Sequence, residues 1–104
     1  MSEEVTIRAF RGTRRSSVYR ECVVSRGVFS RLLAAGKHDG LPSLASLDAD
    51  GQHKLDKNHA RKFAREVAAI DGVSNEPQLA AIVEVALWCA HATSTSWLTI
   101  GQAA

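Results

Sequence analysis

The sequence predicts an α+β domain: a small antiparallel sheet, made of an N-terminal hairpin and a C-terminal strand, packed against three helices. Three observations carry this. Residues 5–10 and 18–24 alternate in polarity with the period of a strand. Three later stretches repeat their apolar residues with the period of a helix, the longest being Pro77–His91. A short β-rich run, Trp97-Leu-Thr-Ile100, follows the last of them. An isolated two-stranded ribbon is only marginally stable, so the last strand is expected to join the hairpin.

The hairpin comes first. Val5, Ile7 and Ala9 alternate with Thr6, Arg8 and Phe10, and Arg11-Gly-Thr-Arg-Arg15 supplies a polar turn. Val18, Cys22 and Val24 share one face of the second strand, with Tyr19, Glu21 and Val23 on the other. The loop is four or five residues long. Arg20 falls on the Val18–Cys22 face, which marks this strand as an edge or its face as half wet.

Ser25 is placed to cap a helix over 27–35, with Val28, Phe29, Leu32 and Leu33 as its apolar stripe and Gly36 as its stop. Leu41-Pro-Ser-Leu-Ala-Ser-Leu47 spaces its leucines by three, which suits a helical turn or an irregular packed segment; Pro42 argues against a central strand. Asp48-Ala-Asp-Gly51 is a turn cluster, and Asp56 is the expected N-cap of a second helix over 57–71. Phe63, Val67 and Ile70 form its stripe, with Ala60, Ala64 and Ala68 permitting close approach and Gly72 ending it. Ser74 or Asn75 would cap the third helix, which has Pro77 in its first turn.

That third helix is the organising element. Leu79, Ile82, Val83, Ala86 and Ala90 share a face, widened by Leu87 and Ala80 on one side and by Val85 and Cys89 on the other; Trp88 points nearly opposite, and only Glu84 and His91 form a polar strip. A helix apolar almost all round is buried on more than one side.

At 104 residues, with 45% hydrophobic and 23% charged residues, the chain reads as one domain over 1–104 with a mostly aliphatic core. No apolar run reaches the ~18 to 20 residues that span a bilayer, and MSEEVTIRAF lacks the basic-then-apolar order of a signal peptide. A cytoplasmic location and no membrane partner are the expectation. Cys22 and Cys89 are too few for a disulfide framework and read as buried thiols.

The net charge of +2 is unevenly spread. Residues 1–36 hold seven arginines against three glutamates, a net +4, while residues 37–104 hold six basic and eight acidic side chains, a net −2. Such asymmetry favours an electrostatically steered partner. Two basic groupings stand out: Arg11, Arg14 and Arg15 at the hairpin tip, and Lys57, Arg61 and Arg65 at i, i+4, i+8 on the second helix. Either would suit an acidic protein surface or nucleic-acid phosphates. Glu66 and Asp71 on the second helix, and the absence of aromatics among the basic residues, make a solvated face a plainer reading than a phosphate site for either grouping.

The stretch Asp48-Ala-Asp-Gly-Gln-His-Lys-Leu-Asp56 resembles a calcium-binding EF-hand loop. With Leu55 at loop position 8, Asp48 and Asp50 fall at 1 and 3, but His53 stands where glycine is needed and His59 where a bidentate glutamate is needed. His53, Asp56 and His59 are spaced by three, a weak transition-metal pattern, and Cys89 and His91 diverge on a helix. Asp48, Asp50 and His53 are also acid–base candidates. No Gly-x-Ser-x-Gly elbow, Walker loop or GxGxxG is present. No metal, cofactor or catalytic residue is expected.

From Leu41 the chain carries Leu41-Pro-x-Leu44-x-x-Leu47-Asp48-x-x-Gly51, Leu55 before a helix, Trp88-Cys-Ala90 and Trp97-Leu-x-Ile100-x-Gly101. In these it resembles an uncharacterised family of short bacterial proteins, chiefly of the actinobacterial kind. That pattern prefers proline at 49 and aspartate at 52 and 102, where this chain has Ala49, Gln52 and Gln102. The resemblance implies no activity.

The expected function is a small interaction or inhibitory protein without catalysis, such as an immunity protein that masks a partner's active site. A nucleic-acid-binding module using the arginine hairpin is the alternative. A metal-dependent or acid–base enzyme around Asp48–His59 is the third reading.

Overall fold

A computed structural model describes residues 4–11, 18–48, 51–70, 76–92 and 95–102. The elements run β1 (Glu4–Arg11), β2 (Val18–Ser25), α1 (Arg26–His38), α2 (Pro42–Ala45), β3 (His53–Asp56), α3 (Lys57–Ala68), α4 (Pro77–His91) and β4 (Ser96–Gln102). The strands form one antiparallel sheet in the order β2-β1-β4-β3. The fold is α+β.

The alternation of β1 decides which face is buried. Val5, Ile7 and Ala9 point inward, and their partners Val24, Ile100 and Leu98 do the same; all six are at most 1% exposed. Helices α1, α3 and α4 lie on that face. Helix α4 touches β1, β2, β4 and α3, so it sits at the centre as its near-continuous apolar surface requires. Its buried stripe is Leu79, Ile82, Val85, Ala86, Cys89 and Ala90. Val83, placed in the stripe by the helical wheel, is only half-buried, whereas Val85, placed on its flank, is buried. Helix α3 contributes Ala60, Phe63, Ala64 and Val67, and its alanines permit close packing on α4.

The strand-edge reading of Arg20 holds: β2 is an edge strand and Arg20 is exposed. The pairing shifts register beside it, so that Ala9 faces Arg20 while Phe10 faces Val18. The C-terminal strand joins the hairpin by pairing with β1, giving β1 partners on both sides.

Several elements differ from expectation. A fourth strand, β3, lies between the turn at Gly51 and α3. Its four residues include one apolar side chain, Leu55, too little for a period to register. The leucine-rich segment agrees with its reading as a helical turn: it contains the four-residue helix α2. Helix α1 does not stop at Gly36 but runs on to His38. Its end is a Schellman turn: Gly40 has φ +70°, the Gly40 N–H donates to Lys37 O, and the Leu41 N–H donates to Gly36 O at 2.8 Å. Helix α3 ends at Ala68, before the predicted boundary. Glu76 caps α4, accepting from the Gln78 N–H; Ser74, Asn75 and Gly72 lie outside the described residues. Ser25 and Asp56 cap α1 and α3 as expected, accepting from the Val28 and His59 N–H groups.

Two side chains tie the layers together. The Glu66 carboxylate on α3 accepts from the Ser43 and Leu44 N–H groups at 3.0 and 2.9 Å, capping α2 from across the fold. The Gln78 amide oxygen on α4 accepts from the Ser25 N–H at 2.6 Å, closing the end of β2. No helix among the described residues is long and apolar enough to cross a membrane.

Candidate binding surface

With the helices on one side, the opposite face of the sheet has no described helix over it. The alternation that buries Val5, Ile7 and Ala9 turns Thr6, Arg8 and Phe10 to this face. Register then sets Val23 and Glu21 beside them on β2, and Gly101, Thr99 and Trp97 beside them on β4. Lys54 stands opposite Thr99 at the β3 edge.

At one end, Phe10 and Trp97 face each other across β1 and β4 and stack, with ring centroids 5.3 Å apart and planes at 6°. Lys54 Nζ lies 5.1 Å from the Trp97 ring centroid, within range of a cation–π attraction. Phe10 and Trp97 are both partly exposed. In the middle, Arg8 Nε donates to Glu21 Oε2 at 3.1 Å, an exposed pair of small net worth. Val23 is 47% exposed on the same face.

At the other end lies a cleft of about 420 Å³, lined by Thr6, Arg8, Gln52, His53, Lys54, Thr99, Ile100 and Gly101. Gly101 makes room for one wall: a β-carbon there would meet Gln52 Cγ at 3.1 Å, closer than ordinary contact. Thr6 is 5% exposed, and its hydroxyl oxygen is buried without a hydrogen-bond partner among the described residues.

The basic residues singled out in the sequence divide. Arg11 is exposed at the end of β1, and Arg14 and Arg15 lie outside the described residues. Lys57 Nζ donates to Ala92 O at 2.6 Å and Arg61 Nη2 donates to Ala90 O at 3.2 Å. Both therefore serve the C-terminal carbonyls of α4, where a cation also complements the helix dipole. Arg65 is exposed. The i, i+4, i+8 spacing put these three on one face of α3, but two of them lean on α4.

The acidic turn is equally divided. His53 Nε2 accepts from the Asp48 N–H at 3.1 Å, and the Gly51 N–H donates to Asp48 O, so the turn is closed internally. Asp50 lies outside the described residues. Asp56 Oδ1 accepts from the His59 N–H and meets His59 Nδ1, both at 2.8 Å. The backbone N–H first, and the ring second, hold the Asp56 carboxyl below the usual carboxylate range. Among the described residues no three His, Cys, Asp or Glu side chains come together as a metal site.

Sequence reading missed the open face. The β1 alternation did put Thr6, Arg8 and Phe10 together, but β4 becomes their neighbour only through the sheet order, and Lys54 through a strand too short to detect. No family model matches the chain, and no curated protein or solved structure matches it.

Proposed function

We propose that this chain is a small cytoplasmic interaction protein without catalysis, of the inhibitory or immunity-like kind, which docks an acidic protein surface. The docking element is the open face of the sheet together with the adjoining hairpin. The observation that supports this is the arrangement of that face: the Phe10–Trp97 stack, Lys54 against it and Val23 exposed, with no described helix above. Aromatic anchors beside cations are what protein interfaces enrich. Arg11 stands at the same end as the stack, because Arg11 and Phe10 pair with Ser96 and Trp97. In sequence, Arg14 and Arg15 continue that charge. Arginine forks pair carboxylates in a bidentate way that lysine does not match.

The test is capture of a partner from the native host on immobilised protein, followed by binding kinetics with the recovered partner. The variant Lys54→Glu and the triple variant Arg11→Ala/Arg14→Ala/Arg15→Ala should slow association and flatten its salt dependence. Unchanged on-rates and salt slope in both would overturn the docking reading.

A second reading, single-stranded nucleic acid, is favoured by one specific observation: a stacked aromatic pair with a cation on an open sheet is a platform on which bases stack. Its signature is quenching of tryptophan fluorescence by an oligonucleotide, with a steep salt slope. That result, without a protein partner, would replace the first reading.

A further inference from the structure

We propose that the cleft at the Thr6 end of the open face binds an oxyanion of the phosphate-monoester class. This rests on the docking reading and names the chemical group that the face would take.

The lining is the first argument. Arg8 and Lys54 are two cationic residues of its lining, Thr6 and Thr99 carry hydroxyls and Gln52 an amide; Lys54 Nζ lies over the Trp97 ring and would turn towards a bound anion. No carboxylate is among its described lining residues; Glu21, the acid nearest in register, is held by Arg8 Nε outside the cleft. That bond uses one guanidinium nitrogen and leaves the fork of two terminal nitrogens, the part that matches a phosphate. Several donors around one space suit a group with three acceptor oxygens better than a carboxylate with two.

The second argument is independent of charge. A buried hydroxyl without a partner is costly to keep. Valine would fill the Thr6 position with the same shape, so the hydroxyl carries a burden that packing does not explain. The hydroxyl oxygen is closed to a water-sized neighbour, so an oxyanion seated between Thr6, Arg8 and Thr99 accepts its proton only once the side chains over it shift. Gly101 suits the same wall, since a β-carbon there would crowd Gln52 Cγ at 3.1 Å.

The experiment is a titration of inorganic phosphate at constant ionic strength, read from the backbone amide NMR shifts of Thr6, Thr99 and Gly101, with chloride as the charge control. Saturable shifts at millimolar phosphate, absent with chloride, are expected. Thr6→Val removes the hydroxyl and keeps the shape; it should melt no lower than the wild type and bind phosphate about tenfold more weakly, the loss of one hydrogen bond to a charged group. Lys54→Gln should weaken binding similarly, and Lys54→Arg should keep it. A phosphoserine peptide then separates the two sources of such a group. Tighter binding than inorganic phosphate assigns it to a modified partner, and equal binding assigns it to a small molecule. Absence of saturable shifts, or Thr6→Val binding as tightly as wild type, overturns the inference. If phosphate fails while Lys54→Glu still weakens the captured partner, the docking reading stands and the cleft inference alone falls.

Discussion

Gly36 on α1 and Leu44 on α2 are packed backbone against side chain. A β-carbon at Gly36 would fall inside the contact distance of Leu44 Cβ and lie 3.0 Å from Leu44 Cδ1. Leu44 is fully buried, so it has nowhere to move. Gly36→Ala sets two effects against each other. Helix propensity favours alanine by about 1 kcal/mol. Overpacking a core contact typically costs 1–3 kcal/mol, and here the obstructing atom is a β-carbon rather than a flexible tip. The obstructing β-carbon puts the cost towards the upper end of that range, so the clash should win, with a net loss of up to about 2 kcal/mol in denaturant unfolding. A stabilised variant would show that α2 can step away.

Glu66 offers a second test of how α2 is held. Its carboxylate supplies both acceptors for the Ser43 and Leu44 N–H groups, and Leu41 at the N-cap position has no side-chain bond to give. Glu66→Ala should cost about 1–3 kcal/mol, the range for stranding donors of a charge-assisted pair. Glu66→Gln keeps one acceptor oxygen and should lose less. Equal losses in both variants would mean that the charge, and not the geometry, holds the helix start.

Lys57 and Arg65 separate two roles that share one helix face. Lys57 reaches Ala92 O, so Lys57→Ala should destabilise the fold by about 1 kcal/mol. Arg65 is exposed, and Arg65→Ala should change stability by less than about 0.5 kcal/mol. Any effect of Arg65→Ala on partner binding is then a surface effect, whereas one of Lys57→Ala must first be corrected for the loosened end of α4.

These residues show why some of the fold was legible and some was not. Ser25 and Asp56 were readable as caps because a cap is a local rule, satisfied within three residues. Gly36 was misread because a glycine after an apolar stripe has two meanings, a helix stop or a close approach, and only the position of Leu44 distinguishes them. Glu66 looked like one charge on a wet face because its partners lie 22 and 23 residues away. The candidate site failed for the same reason. Thr6, Phe10, Lys54 and Trp97 come from three strands, and their meeting depends on β4 inserting between β1 and β3.

The core itself makes the largest mutational prediction. Phe63 is fully buried on the face of α3 that packs on α4. Phe63→Ala should cost roughly 3–5 kcal/mol, and amides from Ile82 to Leu87 should exchange only on global unfolding. Fast exchange there would mean that α4 is not the centre of the core.

Cys22 gives a pH dependence whose sign is fixed by its surroundings. It sits on β2 opposite Ile7 and is half-buried. Burial first, then the nearby Glu21 and Glu84 carboxylates, push its thiol up to about 11. In the unfolded chain a thiol loses its proton near 8.5. Between those values the native state holds a proton that the unfolded state has released, so stability falls as pH rises. Below about pH 8 both states are protonated and the group contributes no slope. Urea midpoints should therefore decline from about pH 8.5 towards 11, and Cys22→Ala should decline less over the same window. Cys89, also raised by burial despite the Ser96 hydroxyl and Lys57 acting against it, should leave a residual slope. The same protonated state should make Cys22 slow towards thiol reagents at pH 8 in the folded protein and ordinary in denaturant. Identical alkaline slopes with and without Cys22 would place its thiol in water, and with it the seam between β2 and α4.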